Sequence, residues 1–556
     1  MLDKLYAKKI KVTLEGSREL VVNYKTKVDE IIEQAEYPSK ISEIMAVRVN
    51  NEVRTLDYEI VTDTKLEYVK YNSNDGYRIY NRTLRFILYM ALCKLYPKYN
   101  VEYTNNMNND SYFICKEPFT EDMANKIREE MQDIIDRNSQ ITRRSVPSEE
   151  AKIIYETMQN EDYINMTGSE LKSYVTLFFC ETVANNMCGV LAPSTGFIKK
   201  FDIKPYRKGF VLVTPNRDNI NVMPKEITKN KLYDIYEEFE EYNTKINVES
   251  VRKLNDKVIN KNMGTVIRTS EILHERQILR LIEKIEQRED VKMLLIAGPS
   301  SSGKTTFAQK LGDNLKLIGY NPIIISMDNY YREREENYNE ETGEYDYESV
   351  NSLDIELFND HMKKLTSGES VIIPRYDFGK GSKSYSDNKL KLGNKDIMLV
   401  EGIHALNDEM TKQVEAKYKF KIYMAPITTL NLDSYTKVSS TDTRMLRRIV
   451  RDYATRSVKV EETLEMWEKI RKGEEKNIYP FTDSADYIFN SSLIYEMGVI
   501  RTFAEPLLLQ VKNTSKYFSE ARRLYEFLSN FLPVETKEIP VNSLLREFIG
   551  DGSFSR

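Results

Sequence analysis

MLLIAGPSSSGKTTFAQKL, residues 293–311, decides how the rest of the chain is read. Five apolar residues suited to a buried strand run into Gly298. Gly303, Lys304 and Thr305 then complete the spacing GxxxxGK[ST], ahead of a helical stretch with Phe307, Leu311 and Leu315 on one face. Strand, glycine-rich turn and helix in that order make a cradle for phosphate groups. Glycine at 298 and 303 lets the backbone adopt conformations that a side chain would block, so successive N–H groups turn toward one anion. The helix N-terminus adds partial positive charge. Lys304 is expected to reach the β- and γ-phosphates, and the Thr305 hydroxyl to complete the coordination of Mg2+. The residues expected to hold the nucleotide are Gly298, Ser300, Ser301, Ser302, Gly303, Lys304, Thr305 and Thr306. None of these roles is base-specific, so the motif says nucleoside triphosphate and no more.

Working outward, the runs PIIIS, VIIP, IMLV, FKIYM and YIFN alternate with helical segments, as the βα units of a parallel sheet do. NPIIISMDNYY (321–331) sets Asp328 at the carboxyl edge of that sheet, where doubly wound folds bind ligands. An aspartate there either takes the proton of an attacking hydroxyl or caps a turn, and the residues alone leave both readings open. Glu401, between IMLV and Gly402, is either the acid that P-loop proteins keep near the metal-bound water or an ordinary loop acid. TDTRMLRRIVRDYATRS (441–457) carries Arg444, Arg447, Arg448, Arg451 and Arg456 against only Asp442 and Asp452. Such a helix is a solvated charged face or a lid that clamps phosphates, and its place downstream of the cradle favours the lid.

The 556 residues exceed the roughly 250 to 300 at which a single core stops growing, so several domains are expected. A net charge of −5 argues against a chain whose main task is gripping nucleic acid, although a local basic face stays open. Cys93, Cys115, Cys180 and Cys188 follow no metal-ligand spacing and are expected to be reduced core residues. MLDKLYAKKIKV lacks the apolar block of a secretion signal, and no stretch approaches the roughly 18 apolar residues of a membrane span. A cytoplasmic protein with no membrane contact is the expectation.

Residues 1–72 alternate apolar and polar positions at Ile10, Val12 and Leu14, turn helical over Val28 to Ala35, and resume strand-like runs at Ile44–Val49 and Leu66–Val69. That order predicts a small ubiquitin-like β-grasp. Residues 73–235 predict an α+β domain, with helical periodicity at Leu84, Ile87, Leu88, Ala91 and Leu95 and again from Thr120 to Asp136, where a threonine cap precedes acids. Residues 236–285 predict a charged helical connector leading into EILHERQILRLIEKIEQ (271–287), whose apolar positions recur every three or four residues, as in a docking helix. Residues 286–556 complete a multidomain α+β and α/β chain with the phosphate-binding domain and its parallel sheet.

Taken in order, GPSSSGKTT, MDNYY, YDYESVNSLD, PRYDF, VEGI and DTRMLRRIVRD resemble the motifs of the uridine kinase and phosphoribulokinase-like family. The resemblance implies transfer of the ATP γ-phosphoryl group to a nucleoside 5′-hydroxyl, with ATP and Mg2+ required. It implies Asp328 as general base, working with Lys304, Arg448 and Arg451. Glu348 matches the acid that holds the ribose hydroxyls, Tyr376 and Phe378 the aromatics that bracket the base, and Arg448 and Arg456 lid arginines facing the phosphates. Thr305 and Glu401 match the metal site. The family also implies a homo-oligomer. Three departures stand out: GKGSK puts Gly381 where the family carries a histidine that reads the pyrimidine, the ribose acid is Glu348 rather than aspartate, and Val458 occupies a position usually arginine. A different nucleoside, or another hydroxyl-bearing small molecule, therefore stays open as acceptor.

The N-terminal half resembles the TGS domain and the second additional domain of threonyl-tRNA synthetase, in RTLRFILYMALCKLYP (82–97) and FTEDMANKIREEMQDII (119–135). The HxxxH pair with which that domain removes mischarged serine reads Arg82 and Phe86 here, and no histidine precedes His274, so no editing is expected. RNA or ligand binding, regulation of the kinase and support of dimerisation all stay open for this half. Two other readings of the whole chain remain: an RNA-associated regulatory NTPase, and a kinase of a sugar phosphate or pantothenate-like acceptor. Asp328, Glu348 and the YDF aromatics favour a nucleoside kinase over a switch, because a switch needs no ribose-sized pocket.

Overall fold

All five residues of MLLIA are fully buried, which explains why the run is apolar without alternation: a strand covered on both faces has no polar side. The computed structural model describes residues 8–35, 43–99, 101–107, 110–158, 173–224, 231–339, 344–433 and 435–554. In it β1 (Met293–Ala297), β2 (Asn321–Ser326), β3 (Asp396–Glu401), β4 (Lys419–Ala425) and β5 (Tyr487–Asn490) form one parallel sheet in the order β2-β3-β1-β4-β5. Helices α1 (Met263–Glu286) and α2 (Lys304–Leu317) cover one face, α1 through Ile278, Leu281, Ile282 and Ile285 and α2 through Phe307, Leu311 and Leu315. The other face, Met293, Leu295 and Ala297 of β1, packs on Phe358, Met362 and Leu365 of helix Ile355–Thr366.

Beyond the β5 side, α3 (Ser440–Arg456) and α4 (Val460–Asn477) build a further core with helices Glu496–Leu508 and Phe518–Leu528, around Met445, Leu446, Leu464, Trp467 and Leu524. The short α5 (Arg546–Ile549) closes that core with Leu545 and Phe548.

One expected strand does not join the sheet. In VIIP, Val371 ends the pair Ser370–Val371 with Leu390–Lys391, and Pro374 starts a separate hairpin with Ser382–Tyr385. Proline has no N–H to give to a central ladder, and the stretch that carries it instead builds a wall beside the sheet's carboxyl edge. The cysteine expectation needs a similar correction. No disulfide joins them, but only Cys115 and Cys180 are buried, while Cys93 and Cys188 sit half-exposed.

In the N-terminal region a mixed five-stranded sheet runs in the order Glu19–Asn23, Lys9–Thr13, Thr64–Lys70, Ile44–Val49, Glu52–Arg54. Lys9–Thr13 and Thr64–Lys70 are parallel and the other neighbours antiparallel. Helix Val28–Gln34 shares a core with it through Val28, Ile31, Ile10, Val12 and Leu66. Helix Asn74–Leu95, capped by the Ser73 hydroxyl, then packs on helix Glu121–Arg137, capped by Thr120. Two antiparallel sheets of four and three strands complete this region. Among the described residues no helix is long and apolar enough to cross a membrane.

Leu311 is fully buried between α2 and the sheet. Leu311→Ala is expected to cost about 2–5 kcal/mol of stability, read as a lower urea midpoint for the C-terminal unfolding transition. A change below about 1 kcal/mol would contradict this packing.

Candidate active site

The turn between β1 and α2 needs its glycines for two different reasons. A Cβ on Gly298 would lie 2.7 Å from the Met424 carbonyl and Cβ of β4, so the loop could not close onto the sheet. Gly303 has φ +89°, a left-handed conformation, and is the N-cap of α2. Lys304, half-buried, folds back to donate to the carbonyls of Gly298 (2.9 Å) and Pro299 (3.3 Å). Burial pushes its pKa down, against the pull of the carboxylates of Glu401, Asp328 and Glu547. The hydroxyls of Ser301 and Ser302 are buried without a protein partner, as suits a loop built to receive a polar ligand.

Two buried ion pairs hold this loop in place. Arg444 of α3 donates from Nε to the Ser300 carbonyl (2.9 Å) and pairs with Glu474 of α4. Arg447 donates to the Ser301 carbonyl (3.4 Å) and pairs with Glu496. None of the four side chains is more than 3 % exposed. Glu474 also accepts from the Ser300 N–H (3.1 Å), from Arg471 (3.1 Å) and from the Tyr479 hydroxyl (3.2 Å), so one carboxylate ties the loop to two helices. This corrects the reading of five lid arginines: Arg444 and Arg447 are braces beneath the loop, which leaves Arg448, Arg451 and Arg456 as lid candidates. These three gather around the buried Asp452, at 3.1, 2.9 and 3.6 Å. Arg448 also reaches the Ser300 hydroxyl (2.6 Å). The charge of Arg451 is felt at Lys304, and that of Arg456 at Asp328.

Asp328 sits in the turn after β2, where its backbone N–H donates to the Ser326 hydroxyl (3.4 Å). Its side chain is open to solvent, yet the crowded cleft walls push its pKa up, opposed by Lys304 and Arg456. Glu401 stands opposite Ser326 in the pairing of β3 with β2, and its pKa is pushed up to about 7 by burial and by Asp328. The exposed Thr305 at the start of α2 adds a hydroxyl. Thr305 and Glu401 offer oxygen donors only, the kind that suits magnesium held partly by phosphate and water.

Beside this edge lies the wall built by the VIIP stretch and its hairpin. The rings of Tyr331, Tyr376 and Phe378 cluster at centroid distances of 5.0–5.7 Å. Phe378 is 53 % exposed and offers a free face, whereas Tyr376, 7 % exposed, backs it. Glu348 lies against Gly473, where any Cβ would come within 2.6 Å of its own, and its pKa is pushed up to about 7 by burial and by Glu474, opposed by Arg448 and Lys304. Gly381, at φ +73°, is overlaid by the Arg334 side chain, which donates to the carbonyls of Phe378 (2.5 Å) and Gly379 (3.4 Å).

Lys304 and Asp328 act on each other's charge, Glu348 feels Lys304 and Arg448, and Tyr331, which feels Asp328 and Glu348, links them to the ring cluster. Glu474, Glu496 and Glu547 were missed because each acid is remote in sequence from the loop it serves and carries no local pattern. Removing the Glu474 carboxylate leaves Arg444 buried and unpaired. Glu474→Ala is expected to cost about 3–5 kcal/mol, measured by chemical unfolding, and a loss near zero would contradict the brace.

A sequence model of the Phosphoribulokinase / Uridine kinase family matches residues 293–493. A uridine kinase of Borrelia duttonii (strain Ly) is 30 % identical over 241 residues, covering 41 % of this chain and 100 % of that protein. A uridine kinase of Halobacterium salinarum is 29 % identical over 194 residues, covering 35 % and 77 %. Among solved structures, D-glycerate 3-kinase from Cryptococcus neoformans aligns with a TM-score of 0.29 at 13 % identity, over 38 % of this chain and 89 % of that one. With its P-loop, parallel sheet and acidic edge in the matched region, the chain belongs to the phosphoribulokinase and uridine kinase family.

Proposed function

We propose that the chain transfers the γ-phosphoryl group of ATP to the 5′-hydroxyl of a nucleoside. What supports this reading is the mutual influence of Lys304 and the general-base candidate Asp328, next to Tyr331, whose ring neighbours Phe378 and which feels Glu348. A switch would need the first of these groups but not the last two. In the reaction Asp328 accepts the hydroxyl proton as the acceptor oxygen bonds to the γ-phosphorus, and the bond to the β,γ-bridging oxygen breaks to leave ADP. Lys304 exchanges its contacts with the loop carbonyls for phosphate oxygens, and Arg448 and Arg451 meet the charge spreading over the transferred group. Magnesium, held by Thr305 and Glu401, would supply neutralisation of the phosphate charge. Glu348 accepts from the ribose hydroxyls, and Phe378 stacks on the base. Arg334 over Gly381 stands where the family places a histidine. It presents donors only, which favours acceptors other than those a histidine selects.

For the front half we propose a TGS-like β-grasp over residues 1–72 and a synthetase-like domain over 73–235 without hydrolytic activity. The fully buried Phe86, and the Arg82 guanidinium committed to the Val190 carbonyl (2.7 Å), support that loss of chemistry. RNA contact, regulation and assembly of like chains are the roles proposed for this half.

Asp328→Asn is expected to lower turnover by about 10²–10⁴ while ATP binding is nearly unchanged. Unchanged turnover would remove Asp328 from the mechanism. The Glu348 carboxyl, its pKa pushed up to about 7, is a two-oxygen charged acceptor when ionised and turns one oxygen into a donor when protonated, which weakens its hold on two hydroxyls. The acceptor KM is therefore expected to rise as pH falls through about 7, with the KM for ATP steady and the dependence lost in Glu348→Gln. A flat acceptor KM in the parent would contradict the ribose-binding role.

A further inference from the structure

Glu547 lies in the C-terminal segment VNSLLREFIGDGSF, to which no role in the reaction has yet fallen. Its backbone is firmly seated. Leu545 and Phe548 on either side are buried, Arg546 donates to the carbonyls of Thr536 (3.0 Å) and Ile539 (2.8 Å), and the Ser543 hydroxyl donates to the buried Glu271 (2.6 Å). From this platform Oε2 of Glu547 accepts from the Thr306 N–H at 3.3 Å, across 241 residues of chain. The same oxygen lies 4.0 Å from where a Cβ on Gly303 would stand, and its charge acts on both Lys304 and Glu401. The carboxylate is thus inside the phosphate cradle.

The reason lies in how α2 begins. Gly303 has no side chain to cap the helix, so the first-turn N–H groups have no partner within α2. An anion is favoured at that positive end, and Glu547 supplies one from elsewhere in the fold. A nucleotide phosphate in the cradle is recognised by these same N–H groups and this same helix end. Two anions then compete for one set of donors.

We propose that Glu547 is a donor-specificity residue: it competes with the nucleotide phosphates for the Thr306 N–H, so that the cradle favours magnesium-neutralised triphosphate over the free form. Like charge at short range penalises the more anionic ligand most, and the metal-free triphosphate is the more anionic of the two. The inference rests on nucleotide binding at the P-loop and is independent of which acceptor is phosphorylated.

The test is equilibrium binding of ATP to the full chain by titration calorimetry, once in Mg2+ and once in EDTA, for the parent, Glu547→Gln and Glu547→Ala. Melting curves establish that each chain is folded. Glu547→Gln keeps the shape and an acceptor oxygen but removes the charge. It is expected to bind metal-free ATP about 10-fold more tightly and the magnesium complex about threefold more tightly, with Glu547→Ala shifting the same way. Equal or weaker binding by both variants would overturn the proposal, as would a gain no larger in EDTA than in Mg2+. Absence of ATP binding in all three chains would overturn the P-loop reading as well. Binding without acceptor turnover would count against the nucleoside proposal alone.

Discussion

The site depends on keeping a run of backbone N–H groups pointed at one spot while Gly298 and Gly303 give the loop no rigidity of its own. The stiffness comes from outside. Arg444 and Arg447 reach the Ser300 and Ser301 carbonyls from α3, and Glu474 and Glu496 neutralise them in an interior that neither charge could enter alone. The geometry of the cradle is therefore set by α3 and α4 as much as by the β1–α2 turn. The same helix α3 continues into Arg448, Arg451 and Arg456, so the groups that brace the loop and those that face the cleft are fixed to one rod.

That rod is also tied to the front half. Asp442, in the first turn of α3, takes a two-pronged contact from Arg523 at 2.7 Å on each oxygen, Arg523 pairs with Glu520, and Glu520 pairs with Arg78 of the helix Asn74–Leu95. A ring contact between Tyr89 and Tyr435, at 5.2 Å, joins the two halves a second time. The front half and the arginine-bearing helix thus share one hydrogen-bonded and packed network, a direct physical basis for influence of one on the other.

Much of the fold was legible where local pattern and burial agree. MLLIA reads as a doubly covered strand because it is one, and the 307, 311, 315 spacing marks the face of α2 that meets the sheet. VIIP misled because an apolar run is equally at home in a covered strand and in a packed wall, and Pro374 was the only local sign of the difference. In the site, Lys304, Asp328, Glu348 and Glu401 were legible from motif and position. The division of labour among five arginines was not: their spacing on a helix does not say which turn faces the loop and which faces the cleft. Nor could sequence reveal that Glu547, 241 residues from Thr306, completes the start of α2.

In the proposed reaction the cradle and the wall beside it serve one transfer to a nucleoside hydroxyl. The most direct measurement is ADP release from Mg·ATP across a panel of ribonucleosides, deoxynucleosides and sugar phosphates, with RNA as a separate arm. Release that depends on a ribonucleoside, with a matching 5′-monophosphate product, is expected. Release driven only by RNA, or no acceptor dependence at all, would contradict it.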